Sequence, residues 1–363
     1  LNLQGGLWQV VLRHLKDPFK VLDVSADIGT SSQDFCLRDV HETIPSEPPV
    51  SLTLLRHMGG ALRLVIRISH AQYDGVSSAN IFQSFIGGPI PDSAVPDFSA
   101  FLSHSHVRRA ASMDYWTNLL KGSQPTLLRH CLALRRPDIA DVSLRTLTAQ
   151  AQIRLPRCLG GKTSTATLAS AAWAQILALL TGETDVVYEH LVAGRNSAIP
   201  QIEDVVGCCL NLVPVRVSLA DAQTPAELLR AVQEQFLAMG EADSLGTKDI
   251  IEHCTDWPAD SSLESTIQHE STAEDHYIQG AGHTLRIDTF RNPHAVPTGI
   301  YMYSVVRGDQ LRFQLMTNTH IMSAKAADAI VNGLVRLVDN LDACYDTPLA
   351  TWTQGVDIGG ENQ

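Results

Sequence analysis

Strand-like and helix-like periodicities alternate along the whole chain, and this alternation constrains the fold more than any single motif. Residues 62–68, 185–192, 210–219 and 311–317 carry the β-branched or alternating apolar pattern of strands, most clearly in "LNLVPVRVSL" from Leu210. Between them lie helical stretches with start and stop signals. "TSTATLASAAWAQILALLTG" opens on hydroxyl residues able to cap a helix and stops at Gly182. "TPAELLRAVQEQFLAMG" offers Thr224 as N-cap, Pro225 at the first helical position and Glu227 at the third. A further amphipathic helix begins at Ser323. Strands and helices mixed throughout predict an α/β (α+β mixed) protein. A chain of 363 residues exceeds what one core usually holds, so two lobes are expected. The boundary falls after "MDYWTNLLKG", giving a first lobe over 1–123, incomplete at its start, and a second over 124–363.

The formal charge of -12 argues against nucleic acid as the main partner, because phosphate binding needs clustered Lys and Arg. No apolar run reaches the roughly 18 to 20 residues of a membrane span, and the start lacks the order of a signal peptide. Seven cysteines without a CxxC pair read as buried free thiols in a reducing compartment, and a cytoplasmic location is expected.

Several catalytic templates fail. "CLGGKT" from Cys158 has Pro156 where a phosphate loop needs glycine. "HESTAEDH" from His269 has Ala273 where a zinc-binding HExxH needs its second histidine, and no metal site is expected. Neither a G-x-S-x-G elbow nor a G-x-G-x-x-G fingerprint occurs. What survives is "RISHAQYDGVSSA", residues 67–79. His70 is expected at a strand tip, where a rigid sheet can aim an imidazole whose pKa suits proton transfer near neutrality. Asp74 can turn back toward the strand, and Gly75 allows a close or left-handed backbone there. The bland alternative makes His70 a satisfied turn histidine and Asp74 the cap of helix "VSSANIFQSF".

A second group lies in "HLVAGRNSAIPQIEDVVGCCLNLVPVRV", from His190 to Val217. Together these stretches resemble the condensation domains of nonribosomal peptide synthetases, whose hallmarks are HHxxxDG, a GRN stretch and VGxxxNxxPxR, in that order. "PDFSAF" from Pro96 and "DYWTNLL" from Asp114 add weaker matches. The chain departs from the family in having Ser69 for the first histidine, a replacement associated with fungal terminal, cyclising condensation-like domains. It also lacks the family's early SxAQxR and RHExLRT stretches before Leu54.

The resemblance implies two chloramphenicol-acetyltransferase-like lobes forming a V with a central tunnel. It implies that His70 acts on an amine attacking a thioester, as base or as oxyanion donor, and that Asp74 is structural, with Arg195 the candidate partner. Ser69, Asn211 and His320 are the substrate-binding candidates, and for Asn211 a purely structural role is as good a reading. The implied function is release of a carrier-tethered peptide by intramolecular amine attack. The domain would bind no cofactor itself and would take its substrate from the phosphopantetheine arm of an upstream peptidyl carrier domain. It would act as a monomer, with neither nucleic acid nor membrane as partner. Arg108 and Arg109, or Arg135 and Arg136, are candidates for a cationic carrier-docking mouth. Two alternatives stand: a CoA-dependent HxxxD acyltransferase, although its late DFGWG stretch is missing, and a non-catalytic carrier-docking domain.

Overall fold

The computed structural model describes residues 2–3, 6–7, 19–42, 50–85, 96–128, 131–132, 144–271, 277–280, 282–289 and 296–358. Strands β1 (Asn2–Leu3) and β2 (Gly6–Leu7) form a short antiparallel pair. Next come β3 (Phe19–Val24), α1 (Ile28–Glu42), β4 (Val50–His57) and β5 (Leu62–Ile68). The three strands make one sheet in the order β3-β4-β5. Helix α1 is the crossover that lets β3 and β4 run parallel, whereas β4 and β5 form an antiparallel hairpin that turns through Gly60 at φ 91°. Asp27 starts α1 by accepting the Thr30 amide at 3.0 Å. Two helices follow, α2 (Gly75–Phe85) and α3 (Phe98–Leu120).

The rest of the chain builds a larger sheet. Its elements are β6 (Thr146–Arg154), α4 (Thr165–Thr181), β7 (Asp185–Val192), β8 (Asn211–Ser218), α5 (Pro225–Met239) and α6 (Thr247–Cys254). They continue with β9 (Ser265–Glu270), the hairpin β10 (Tyr277–Gly280) and β11 (His283–Arg286), β12 (Ile300–Arg307), β13 (Gln310–Asn318) and α7 (Ala324–Cys344). The sheet runs β6-β13-β12-β9-β7-β8. Strands β7, β9 and β12 are parallel neighbours and the other pairs are antiparallel, so the sheet is mixed. Period-two alternation gives it two unlike faces. Ile267, Met302, Leu311, Phe313 and Leu315 lie in a core shared with Trp173 of α4 and Leu334, Leu337 and Leu341 of α7. The opposite face is polar, with Thr266, Gln268 and Glu270 in register with Tyr301, Tyr303 and Val305. The helices begin where the hydroxyl residues foretold. Ser164, Thr224 and Ser323 accept the amides of Thr167, Glu227 and Ala326, and Gly182 ends α4 at φ 75°.

Helix α3 precedes the expected boundary at 123, yet it packs into the second lobe. Trp116 and Leu120 share a core with Val187, Val213, Leu245 and Ile250, and the Trp116 indole donates to the Ala242 carbonyl at 2.9 Å. Trp116 and Trp173 are thus packing residues, as helical apolar positions suggest. Arg108 is exposed and Arg109 partly exposed, and each is paired within the protein. Arg108 pairs with Glu241 at 2.8 Å and Arg109 with Asp249 at 3.1 Å, because α3 lies against the acidic turn 240–244 and α6. Arg135 and Arg136 lie outside the described residues. Among the described residues no helix is long and apolar enough to cross a membrane.

Candidate active site

Strand β5 ends at Ile68, and the chain reverses at once: the Ser69 carbonyl accepts the Gln72 amide at 2.9 Å, and Ser69 Oγ accepts the Ala71 amide at 3.3 Å. Ser69 thus helps to shape the turn, and its exposed hydroxyl keeps a donor proton. His70 stands exposed on it. The ring stacks on Tyr73, with centroids 4.7 Å apart and planes at 12°, and Nδ1 lies 2.9 Å from the Tyr73 carbonyl oxygen. A carbonyl can only accept, so Nδ1 carries the proton and donates. In the neutral ring Nε2 then holds the lone pair.

Asp74 faces the other way and is buried. Its Oδ1 accepts the Ser77 amide at 2.8 Å, which starts α2, while Ser77 Oγ accepts the Asp74 amide at 2.9 Å. Arg195 Nη2 donates to Oδ1 at 2.9 Å and Oδ2 at 2.8 Å, and the Cys209 amide donates to Oδ2 at 2.9 Å. Cap and ion-pair readings, competing in the sequence, are both realised by one carboxylate. Burial pushes its pKa up, but the Ser77 amide, the Arg195 guanidinium and the Cys209 amide more than offset this and hold it below the ordinary value. Its acceptor capacity is spent on these groups, and His70 is oriented by Tyr73 instead.

Arg195 is as buried as Asp74 and reaches further, with Nη1 donating to the carbonyls of Ile202 at 2.5 Å and Val205 at 3.1 Å. Before it, Gly194 sits at φ 66°, and a Cβ there would meet the Cys209 carbonyl oxygen at 1.8 Å, so only glycine allows the two motif segments to cross. Ser77 Oγ also donates to the Gly207 carbonyl at 3.2 Å, and Asn80 donates to that of Glu203 at 3.1 Å. Parts of the three sequence stretches, Asp74 with Gly75, Gly194 with Arg195, and Gly207 with Cys209, thus meet in one buried node joining the start of α2 to the 202–209 loop. Gly75 differs from expectation: it is the first residue of α2 and is absent from the left-handed glycines, because the reversal is completed by Asp74 and Ser77.

The remaining candidates are held by contacts of their own. Asn211 starts β8, where its Nδ2 donates to the Asp243 carbonyl at 3.0 Å and its Oδ1 accepts the Leu212 amide at 3.0 Å. Asn196 donates to Oδ2 of buried Asp243 at 2.8 Å. Burial pushes the Asp243 carboxyl up to about 6 against that hydrogen bond, with Glu241 adding to the rise. Arg216, which ends the third motif, holds Asp185 at 2.8 Å and caps the end of α3 through the Leu119 and Lys121 carbonyls. His320 follows β13 at the end of the sheet where β12 begins, whereas Gly194, Arg195 and Asn211 lie where β7 ends and β8 begins, toward the opposite end. Its amide is held by the Asn318 side chain at 2.9 Å. Sequence reasoning missed Tyr73, Ser77 and Asp243. For Ser77 a signal existed, since a hydroxyl three residues after a capping aspartate is a reciprocal-cap pattern; Asp243 carried none.

Nonribosomal peptide synthetase dtxS1 of Metarhizium robertsii is 45% identical over 343 residues, covering 94% of this chain and 4% of that protein. Nonribosomal peptide synthetase 30 of Fusarium vanettenii is 35% identical over 359 residues, covering 97% and 6%. The chain thus spans only a small part of the curated relatives it matches. Among solved structures, one named "The crystal structure of CT mutant" superposes with a TM-score of 0.79 at 24% identity, covering 96% of this chain and 80% of that one. The starter condensation domain of rhizomide synthetase RzmA gives 0.70 at 16%, covering 96% and 82%. These two likenesses establish the fold. Residues 2–326 match the Condensation domain family, and the chain, with its motifs drawn into one node, belongs to that family of amide-forming, acyltransferase-type domains.

Proposed function

We propose that this domain releases a carrier-tethered peptide by intramolecular attack of the peptide's own amine on its thioester, forming a cyclic amide. The observation that carries the reading is the pose of His70: an exposed imidazole whose Nδ1–H is held by the Tyr73 carbonyl, leaving the Nε2 lone pair for an incoming N–H. The amine nitrogen adds to the carbonyl carbon while Nε2 takes its proton. The tetrahedral intermediate then collapses, the C–S bond breaks, and the carrier thiolate recovers the proton from imidazolium. That tautomer favours the base role over oxyanion donation by the neutral ring. Asp74 and Arg195 position the His70 turn against the second lobe. Ser69, in place of the family's first histidine, supports the cyclising type.

The substrate would arrive in the tunnel between the lobes on the phosphopantetheine arm of an upstream peptidyl carrier domain, with no cofactor bound by the domain itself. It would act as a monomer in the cytoplasm, where its seven unpaired cysteines suit a reducing environment. The test is to present one loaded peptidyl carrier and identify the products by mass spectrometry. The expected outcome is cyclic amide and free carrier thiol. A linear acid, a requirement for a second loaded carrier, or turnover only of a CoA thioester would overturn cyclising release.

A further inference from the structure

We infer that a cavity of about 570 Å³ between the start of β8, the start of α6 and the 259–263 loop is a side-chain subsite for the peptide, in which Glu189 selects a residue bearing a cationic nitrogen. The inference rests on the proposed peptide substrate. The volume lies within the roughly 300 to 1,000 Å³ typical of ligand cavities and exceeds one side chain, leaving room for adjoining backbone. Leu212, Ile251 and Leu263 give it apolar walls. Among its polar groups, Asn211 has turned both ends of its amide onto the protein's own backbone.

Glu189 has not. It projects from the middle of β7, a strand paired on both sides, and its Oε2 accepts from Thr266 Oγ1 at 2.9 Å. A carboxylate has about four lone-pair sites, and Oε1 meets no donor among the described residues. A half-buried carboxylate against apolar walls gains most from a cation that brings its own N–H groups, since such bonds are about twice as strong as neutral ones. Lys248 lines the same cavity but is exposed at its rim, and the described ion pairs do not include it with Glu189. The cavity is also placed for the purpose. Its wall at Leu210 and Asn211 directly follows Cys209, whose amide grips Asp74, so cavity and His70 turn share one rigid anchor.

The test uses short peptidyl N-acetylcysteamine thioesters in which lysine replaces norleucine at one position at a time. Binding is measured by calorimetry on the His70→Ala protein and turnover on the otherwise native chain. At one position lysine should bind at least about tenfold tighter than norleucine, and Glu189→Gln, with an unchanged melting temperature, should bring the two within about twofold. A Lys248→Ala variant should keep the preference. No preference at any position, or a preference that survives Glu189→Gln, overturns the subsite. Glu189-dependent binding without turnover of any peptide would retain the subsite and reject release, whereas turnover with binding indifferent to Glu189 would do the reverse.

Discussion

An imidazole on an exposed turn is free to rotate unless something holds it, and His70 is held twice, by stacking on Tyr73 and by that residue's carbonyl. The two restraints separate under mutation, because the carbonyl belongs to the backbone and survives any side-chain change. His70→Ala should lower product release by at least about 100-fold, the lower range for general-base loss, with the melting temperature unchanged because the ring is exposed. Tyr73→Phe keeps the stacked ring and should retain activity. Tyr73→Ala should lower kcat by about 10- to 100-fold with little change in KM, since a misplaced catalytic group costs rate more than binding. Release kinetics with parallel thermal melts check all three, and equal losses for Phe and Ala would show that the phenol hydroxyl, not the stacking, matters. At this scale the sequence was informative about His70 and silent about Tyr73, because stacking depends on how the turn folds back.

The start of α2 and the 202–209 loop meet around the Asp74–Arg195 ion pair, with the Ser77 and Asn80 side chains adding hydrogen bonds to the loop, and the energetics of the pair follow from its burial. Removing one partner leaves the other charge without compensation, so Asp74→Ala should cost about 3 to 5 kcal/mol. Arg195 would then keep its carbonyl contacts but lose both carboxylate bonds, and its Nε already lacks a partner. Replacing both residues together, Asp74→Leu with Arg195→Met, should cost less than the sum of the two single changes. Urea denaturation of the four proteins measures the coupling. Additive losses would mean that the pair does not carry the joint. Pairing across 121 residues of sequence was suggested by motif resemblance, but the second role of Asp74 as helix cap depends on α2 starting at Gly75.

At the scale of the whole molecule, burial of titratable groups sets how stability responds to acid. His190 and His269 lie on the apolar-core side of the large sheet, and burial lowers each to about 4 from 6.5; for His190 the Leu191 carbonyl opposes the fall and His269 adds to it. Between pH 6.5 and 4 the unfolded chain therefore binds more protons at these sites, and stability falls as pH falls through that window. Asp243 acts oppositely: raised from 3.8 to about 6, it binds its proton more readily when folded, so its contribution favours the acid side of its own window. Two histidines against one carboxyl leave net destabilisation on acidification. His190→Phe should remove one histidine from this balance, flattening the profile and raising stability at pH 5 more than at pH 7.5. The substitution removes an Nε2 without a partner among the described groups and also the Nδ1 bond to the Leu191 carbonyl at 2.9 Å, so the difference between the two pH values, not the absolute stability, reads the linkage. Denaturation at the two pH values is the check, and an equal gain at both would exclude the proton linkage.

Local chemistry written along the chain decided the elements. Period-two runs became β5, β7, β8 and β13, and Ser164, Thr224, Ser323 and Gly182 mark helix ends because capping needs only neighbouring backbone. The three motif stretches likewise announced the family. Tertiary structure decided which further side chains met. It gave Asp74 the Ser77 and Cys209 amides beside the Arg195 that the resemblance suggests, packed α3 onto the second core, paired Arg108 with Glu241 and Arg109 with Asp249, and left His320 at the far end of the sheet from Arg195. Such outcomes depend on where distant segments are brought together by burial, and a linear pattern records the demand for a partner without recording which partner the fold supplies.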